Sequence, residues 1–425
     1  MKSHALSELG RRTTEPPISW LMATALARPQ LISLAAGFTD NESLPVGEVR
    51  GLLNDILHSP RTGPAALQYG TTAGDQALRR LTARHLHSLD GGPVARRVYS
   101  PDRVIITSGS QQMLYMITEA LCDPGDIVLV EDPSYFVYLG ILQSHGVQAR
   151  GLLMQKDGLD LTCLEEVLTD LKRSGLLRRV KLLYLVTYYQ NPTGRTTSFQ
   201  KKAGALKLLR QFEEAAGHPL YLLEDAAYRE LRFGGADVKS ALTARGSSER
   251  VIYAGTYSKP FATGVRVGFG LLPQPVFRTV LHIKGNHDFG SSNLLQQLLA
   301  RALSSGRYEE HLAVLRRRYA RKARVMRTAL QQHFPAAVEW EVPGGGLYFW
   351  ARLPQHLKSG SASKVFRRAL ANNVLYVPGD LCYADDPTRR KPDHEMRLSF
   401  GGATEVTARK GIARLGKVLR KFLVR

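Results

Sequence analysis

The chain has 425 residues, 44% of them hydrophobic, and a formal net charge of +21 at pH 7. This length exceeds what one hydrophobic core usually serves, so we expect two packed units, and the hydrophobic fraction excludes a globally disordered chain. The three cysteines, Cys122, Cys163 and Cys382, are odd in number and far apart, which excludes a disulfide framework and a metal site of closely spaced cysteines.

The N-terminal part of the chain is predicted to be an irregular arm followed by a helix over residues 74–86. Residues 1–12 are polar and charged without an apolar block for export, and no apolar run approaches the length of a membrane span. Together with the cysteine pattern, these features predict a soluble, cytoplasmic protein without a metal. The prolines of the arm are Pro16, Pro17, Pro29 and Pro45.

The middle of the chain alternates short β-branched runs with longer helical stretches, which is typical of an α/β domain with a mostly parallel sheet. Several runs are almost continuously apolar, as strands covered on both faces are. The last two runs are joined by about twelve residues, too few for a crossover helix, so one of them is predicted to be antiparallel. The seven predicted strands are residues 104–107, 127–130, 149–153, 182–186, 220–223, 251–254 and 267–272.

From about residue 300 the pattern changes to a long helix and then a smaller α+β unit with strands at residues 338–342, 347–353 and 396–400. We therefore divide the chain into three parts. Residues 1–45 form an arm that packs near the small domain, residues 46–300 form the large domain, and residues 301–425 form the small C-terminal domain.

The densest basic run, residues 316–324, lies within the predicted long helix. An amphipathic helix with a solvated basic face explains this run, and a dedicated polyanion site is the alternative. The net charge bears on partners and solubility rather than on the fold. The apolar residues at helical spacing are Leu312, Leu315, Tyr319, Ala323, Met326 and Leu330.

The strongest local signal is the segment from Thr256 to Gly268, which places Lys259 just beyond a buried strand and Arg266 seven residues later. Most lysines are solvated, but hydroxyls at Thr256 and Ser258 and nearby glycines let backbone and donors approach an anion. Burial beside other cations lowers a lysine's pKa, so that its amine can react with a carbonyl cofactor near neutral pH.

Three further signals follow predicted strands. Ser110, after a Ser-Gly turn, opens a helix whose free amides suit a phosphate, although Ser110 can equally be a plain N-cap. Asp225 ends an apolar strand, where a buried carboxylate needs a cation such as a protonated pyridine nitrogen; alone, a helix N-cap would explain it. Asn191 begins an Asn-Pro-Thr-Gly sequence that alone indicates a turn. The strand order brings these residues and Lys259 to one edge of the sheet.

Together the motifs resemble the fold type I, pyridoxal 5′-phosphate (PLP)-dependent class I/II aminotransferases, in the branch that contains 2-aminoadipate aminotransferases and MocR effector domains. The resemblance runs from about Ile32 to the C-terminus. It implies an α/β fold in which a seven-stranded, mostly parallel sheet has helices on both faces and a smaller α+β domain follows. The motifs, in order, are Ala36-Gly37, Tyr69-Gly70, Ser108-Gly109-Ser110-Gln111-Gln112, Pro133-Ser134-Tyr135, Asn191-Pro192-Thr193-Gly194, Glu224-Asp225 with Tyr228, Ser258-Lys259 with Arg266, Pro343-Gly344-Gly345-Gly346, and Arg397-Leu398-Ser399-Phe400.

The resemblance implies a role for each matching residue around PLP. Lys259 would carry the cofactor as a Schiff base and then act as general acid and base, and Asp225 would keep the pyridine nitrogen protonated. Asn191 and Tyr228 would hydrogen-bond the ring hydroxyl, while Tyr135 would stack on the ring. The residues implied to hold the phosphate are Ser110, Gln111, Thr256 and Arg266.

Two implied contacts concern the substrate and a second subunit. Arg397, helped by the backbone at Gly37 and by Asn191, would grip the substrate carboxylate as a fork. Tyr69 would reach the phosphate of the neighbouring subunit, which implies a homodimer with shared active sites. Without the resemblance, Tyr69 and Tyr135 could be core aromatics and Arg397 a structural ion pair.

The sequence departs from the family's common form at Thr72, Pro260 and Thr263 and in the arm, where Gly37 is followed by Phe38-Thr39-Asp40. None of these changes removes a group that the chemistry needs. In this branch the arm lines the substrate side-chain pocket, so the arm change bears on substrate identity. The candidates for side-chain recognition are Arg28, Asp40 and Glu42.

The leading functional hypothesis is transfer of an amino group from an L-amino acid to a 2-oxo acid by a ping-pong mechanism. The alternative is a PLP-dependent lyase or synthase that acts at the β or γ carbon, similar to aminocyclopropane carboxylate synthase. A nucleotide-bearing substrate belongs to this alternative. A third hypothesis is a PLP-sensing regulator, but such proteins carry a winged helix-turn-helix domain ahead of this fold, and about 30 residues are too few for one. We expect small amino and oxo acids as partners, with neither nucleic acid nor membrane.

Overall fold

The computed structural model describes residues 5–91 and 98–423. Its α-helices are α1 Glu8–Arg12, α2 Pro17–Leu26, α3 Val46–Leu57, α4 Thr62–Leu67, α5 Gln76–Asp90, α6 Ser110–Leu121, α7 Phe136–His145, α8 Leu161–Arg173, α9 Phe199–Ala216, α10 Gln274–His287, α11 Asn293–Ser304, α12 Arg307–His333, α13 Lys364–Ala371 and α14 Glu405–Leu423. The strands are β1 Ile32–Ser33, β2 Val104–Thr107, β3 Ile127–Glu131, β4 Gln148–Leu152, β5 Met154–Gln155, β6 Gly158–Leu159, β7 Val180–Val186, β8 Tyr221–Asp225, β9 Val251–Thr256, β10 Gly268–Leu271, β11 Glu339–Trp340, β12 Tyr348–Arg352, β13 Val374–Leu375, β14 Val377–Pro378 and β15 Glu395–Ser399.

The central sheet has seven strands in the order β2-β10-β9-β8-β7-β3-β4. Six of its strands are buried almost throughout because they are apolar on both faces and helices cover the sheet, whereas the edge strand β4 is partly exposed. Each of the seven strands predicted from the sequence is present, with ends shifted by no more than two residues. The predicted α/β architecture is therefore confirmed.

Strand β10 runs antiparallel to both of its neighbours, β9 and β2, while the remaining pairs of the central sheet are parallel. The prediction that one of the last two strands is antiparallel is thus confirmed. The reason is the short connection between β9 and β10, which contains a single 3₁₀ turn at Thr263–Val265 instead of a crossover helix. That connection carries Lys259 and Arg266, so the reversal of the chain also places the site.

The C-terminal part contains a four-stranded antiparallel sheet in the order β11-β12-β15-β14. Three of these strands match the predicted ones, and β14 was missed because it is only two residues long. The arm packs on this part: β1 pairs in parallel with β13, and the Ser399 amide donates to the Leu34 carbonyl at 2.7 Å. The exact division at residues 45 and 300 stays a prediction.

Helix α12 contains the basic run and has the predicted amphipathic pattern. All six apolar residues at helical spacing are buried, and Arg317, Arg321 and Arg324 are exposed. The prediction of a solvated basic face is wrong for two members of the run, because Arg318 and the buried Lys322 bind Asp40 of the arm. The run therefore also joins the arm to the small domain.

No helix in the described ranges combines the length and the apolar character that crossing a bilayer requires.

A buried ion pair fixes the end of β8, where Asp225 lies. Lys202 of α9 contacts Glu224 at 2.9 Å, and both side chains are fully buried. Glu224 also accepts hydrogen bonds from the Thr187 hydroxyl at 2.9 Å and from the Ala241 amide at 2.7 Å. Because a buried charge needs such partners, the pair holds the carboxyl edge of the sheet in one arrangement.

We expect the Lys202→Met substitution to lower the free energy of unfolding by about 3–5 kcal/mol, because it leaves the Glu224 carboxylate buried without a cation. Urea unfolding measures the change. Lys207→Met, at an exposed position on the same helix, serves as the control and should change the value by less than about 0.5 kcal/mol. Equal stability of the two variants would contradict the structural role of the pair.

Candidate active site

The site lies at the carboxyl ends of the parallel strands, where ligands of open α/β sheets bind. Asp225 and Thr256 are the last residues of β8 and β9, and Ser110 opens α6 shortly after β2. A cavity of about 190 Å³ lies between these ends. It is lined by Ser110, Gln111, Tyr135, Val186, Asn191, Asp225, Ala227, Tyr228, Thr256, Ser258, Lys259 and Arg266.

One end of the cavity suits a phosphate group. The N-terminus of α6 points free amides at it, because Gly109 provides no side-chain cap. Arg266 has the left-handed φ of +52° and its Nη1 donates to the Ser258 hydroxyl at 3.2 Å. The backbone here is so close that a Cβ at Gly268 would lie 2.4 Å from the Ser110 nitrogen. A permanent cation, hydroxyls and helix amides together match an anionic ligand.

Lys259 projects into the cavity from the β9–β10 connection. Its Nζ donates to the Gly37 carbonyl of the arm at 2.8 Å. Burial, and then the positive charges of Arg266 and Arg397, lower its pKa to about 8. A substantial fraction of the amine is therefore neutral near physiological pH, as a nucleophile for a carbonyl group must be.

Asp225 is buried at the far wall of the cavity. Its carboxylate accepts from the Tyr184 hydroxyl at 2.9 Å and from the Ala227 amide at 3.1 Å. No described residue forms a salt bridge with it, and burial raises its pKa to about 6. The helix N-cap alternative fails, because β8 is followed by a 3₁₀ turn at Arg229–Leu231. The cavity thus holds a buried acid that a cationic ring nitrogen would satisfy.

Arg397 lies behind the cavity on β15 and is 1% exposed. Its Nη1 donates to Asn191 Oδ1 and its Nη2 to the Ala35 carbonyl, both at 2.6 Å, while Nε has no partner in the described structure. None of the described carboxylates pairs with it, so the geometry gives no support to the structural ion pair. A buried guanidinium in this state suits the carboxylate of a substrate.

Most of the residues predicted from the sequence come together. Nine of them line the cavity, Gly37 touches Lys259, and Arg397 reaches Asn191. Tyr69 is the exception: it is 83% exposed, does not line the cavity, and its ring meets that of Phe289 edge-on. The alternative of a core position is wrong for Tyr69.

Two tyrosines of the site were missed by sequence reasoning. Tyr184 supports Asp225 from β7, and Tyr348 of β12 hydrogen-bonds Tyr228 with 3.0 Å between the hydroxyl oxygens. Each lies inside an apolar strand, where a tyrosine is an ordinary core residue. The local sequence holds no signal that could have distinguished them.

The arm residues proposed for substrate recognition lie elsewhere. Asp40 is buried and pairs with Arg318 and with Lys322 Nζ, the latter at 3.0 Å, and its amide donates to the Tyr319 hydroxyl at 3.2 Å. Glu42 pairs with the same Arg318. Because both oxygens of Asp40 are engaged, the geometry supports an anchoring role for Asp40 rather than contact with a substrate.

The chain is similar to known aminotransferases over nearly its whole length. A family profile described as "Aminotransferase class I and II" matches residues 29–415. The 2-aminoadipate transaminase of Thermus thermophilus is 33% identical, and the match covers 93% of this chain and 92% of that protein. An uncharacterized HTH-type transcriptional regulator of Bacillus subtilis is 27% identical over 97% of this chain and 82% of its own length. A crystal structure of Pyrococcus horikoshii kynurenine aminotransferase, in complex with PMP, has a TM-score of 0.88 at 29% identity and covers 99% of this chain and 98% of that one.

The lowered pKa of Lys259 predicts how its capture of PLP depends on pH. Only the neutral amine attacks a carbonyl, so the rate should rise about tenfold per pH unit below the pKa and level off above about pH 8 to 9. Stopped-flow absorbance on protein stripped of cofactor measures this rate. Arg397→Gln should move the plateau to higher pH, because it removes one of the charges that lower the pKa. A wild-type rate that still climbs at pH 10 would contradict the assignment.

Proposed function

The chain belongs to the class I and II aminotransferase family and is a PLP-dependent aminotransferase of fold type I, and on this premise we propose which of its residues carry the reaction. Lys259 is the covalent attachment point and the proton carrier. Asp225 is the partner of the ring nitrogen, and Arg397 binds the substrate carboxylate. The observation that supports these roles best is that one cavity brings three features together. These are the Lys259 amine with its lowered pKa, the buried carboxyl group of Asp225, and the end of the cavity that suits a phosphate group.

The cofactor fits the residues present. The phosphate would be held by Ser110 at the N-terminus of α6 together with Thr256, Ser258 and Arg266 from the end of β9 and the connection after it. Asp225 would hold a proton on the ring nitrogen at the opposite wall. Bound PLP supplies an electron sink, which allows the Cα–H bond of an amino acid to break. The remaining chemistry belongs to the chain's own side chains.

Lys259 performs the proton transfer. When its Nζ is free, Lys259 would remove the proton from the substrate Cα as a general base and then return that proton as a general acid. The Gly37 carbonyl, which accepts its hydrogen bond, keeps the amine beside the arm. Burial, together with the nearby cations Arg266 and Arg397, disfavours the protonated amine and so keeps the base active near pH 8.

The substrates are small amino acids and 2-oxo acids, as for the family. Arg397 would bind the α-carboxylate through its guanidinium, with Asn191 Oδ1 and the Ala35 carbonyl orienting the group. Both half-reactions would use this one carboxylate site in turn, because in a ping-pong mechanism the first product leaves before the second substrate binds. The relatives' names make 2-aminoadipate and kynurenine the first donors to test.

A homodimer with shared active sites is also part of the proposal. Tyr69 and Phe289 form an exposed aromatic pair, and these residues are 83% and 57% exposed. Leu67, two residues before Tyr69, is 69% exposed. Exposed apolar groups this close together are costly unless another surface covers them. A second copy of the chain would cover them and bring Tyr69 to the phosphate-binding end of the partner's cavity.

We expect purified protein with PLP to show a visible absorbance band that is absent in Lys259→Ala. Addition of an L-amino acid without any oxo acid should abolish the band while releasing one equivalent of 2-oxo acid per site. The panel should include 2-aminoadipate, kynurenine and aromatic amino acids, with absorbance and mass spectrometry as the measurements. Arg397→Lys should retain the band but raise KM for every donor, because the fork to the carboxylate is lost.

Three outcomes would contradict this assignment in different ways. A missing band after addition of PLP would remove the cofactor site. A band that persists in Lys259→Ala would remove the role of Lys259. Release of product from a donor with a β or γ leaving group, with no half-reaction on ordinary amino acids, would favour the lyase or synthase.

Subunit complementation tests the shared site. Lys259→Ala and Tyr69→Ala proteins should each be weakly active, and the mixture, after unfolding and refolding together, should recover activity. The reason is that one site of the hybrid dimer then has both Lys259 and the partner's Tyr69. No recovery in a mixture that light scattering shows to be dimeric would contradict a role for Tyr69 across the interface.

A further inference from the structure

Tyr348 lies where three parts of the site meet. It is the first residue of β12, and 1% of it is exposed. Its hydroxyl oxygen is 3.0 Å from that of Tyr228, and the guanidinium carbon of Arg397 lies 4.3 Å from the centre of its ring. A Cβ added to Gly37 would lie 2.7 Å from its hydroxyl oxygen. One side chain thus touches the cofactor side, the carboxylate side and the arm.

We propose that Tyr348 is a positioning residue that directs the Tyr228 hydroxyl into the cavity and confines position 37 of the arm to glycine. The inference rests on the proposed function, because it takes Tyr228 to be the donor to the ring hydroxyl of PLP. Tyr348 itself need not touch the cofactor. It acts through Tyr228 and through the arm backbone.

The hydrogen-bond directions follow from the groups present. Arg397 has no acceptor, so the atom of Asn191 that faces its Nη1 at 2.6 Å must be Oδ1. The other end of that amide, Nδ2, therefore faces the Tyr228 hydroxyl, at 3.4 Å. Tyr228 receives this donor through one of its two lone pairs, which leaves one lone pair and its own proton to assign.

The Tyr348 hydroxyl donates a hydrogen bond to the second lone pair of the Tyr228 oxygen. Within the described residues its hydroxyl has Tyr228 as its hydrogen-bond partner, and a buried hydroxyl proton without an acceptor is costly. Tyr348 therefore donates and Tyr228 accepts. With both lone pairs engaged, the proton of Tyr228 is left to point into the cavity that Tyr228 lines. Two donors also polarise this O–H group and make it a stronger donor.

The arm is limited by the same hydroxyl. The carbonyl of Gly37 holds Lys259 Nζ, so a displacement of residue 37 would also displace the amine. The next atom of Tyr348 that a Cβ at position 37 would meet is Cζ, at an ordinary contact distance of 3.8 Å. The conflict with a Cβ atom at position 37, as in alanine, thus comes from the hydroxyl oxygen alone. The two positions are coupled by one atom.

The test compares Tyr348→Phe with Tyr376→Phe in the PLP-loaded protein. Tyr376 is a matched control, because it is equally buried in the same part of the chain and its hydroxyl donates to the Ser359 carbonyl at 2.8 Å. The readout is the pH midpoint at which the visible band changes wavelength. A hydrogen-bond donor to the ring oxygen stabilises the negative charge of that oxygen. It thereby eases loss of the proton from the Schiff-base nitrogen of Lys259. Tyr348→Phe should therefore raise the midpoint by roughly half a unit to one unit and lower kcat roughly two- to tenfold, as for one net hydrogen bond, while Tyr376→Phe leaves both unchanged.

The second part of the test is a double-mutant cycle with Gly37→Ala. In the wild-type background, Gly37→Ala should raise KM and slow capture of PLP, because the Cβ and the hydroxyl cannot both be accommodated. In the Tyr348→Phe background, the same substitution should have a much smaller effect. Phenylalanine keeps the ring beside Arg397, so the cycle isolates the hydroxyl.

An unchanged midpoint in Tyr348→Phe would overturn the first part of the proposal, and an equal effect of Gly37→Ala in both backgrounds would overturn the second. The thermal unfolding midpoint of each variant separates loss of folding from loss of positioning. Failure of the proposed function is distinguishable, because the wild-type protein itself would then show no visible band.

Discussion

Burial of Lys259 beside two permanent cations, Arg266 and Arg397, governs the site. Burial disfavours the charged form of the amine, repulsion from the two guanidinium groups adds to this effect, and the pKa of Lys259 falls to about 8. The two guanidinium groups also attract anionic ligand groups such as a phosphate and a carboxylate. The same two cations thus contribute both to a reactive amine and to an anion site, and Asp225 at the far wall provides the opposite charge for a ring cation.

The sheet makes this arrangement permanent. Charges that repel one another would separate if their backbones could move, so their positions must be fixed by stronger constraints. Asp225 is held by the parallel pairing of β8 and by the Glu224–Lys202 pair next to it. On the other side, Gly268 and the start of α6 are in direct backbone contact. This rigid frame holds the charged groups of the site close together.

The arm closes the site from the other direction. Its carbonyls at Ala35 and Gly37 face Arg397 and Lys259, and Asp40 fixes the arm to α12 through a buried ion pair with Lys322. Part of the positive charge of α12 therefore forms ion pairs with the arm of the same chain. The arm differs from the family's common form in the very segment between these contacts. Substrate preference is expected to depend on how this backbone is held as well as on its side chains.

The sequence by itself determined the seven strands of the sheet, the reversal of β10, and the positions of Lys259 and Asp225, because apolar runs, short connections and turn residues act over a few neighbouring residues. Only the tertiary structure decided what their partners are. Arg397 meets Asn191 and Ala35 across separations of 206 and 362 residues, and such contacts leave no local pattern. The role of Tyr348 and the exposure of Tyr69 belong to the same class. Packing distant segments against each other assigns these roles, since a tyrosine in a strand or a loop has the same local propensity whether it is core, interface or site.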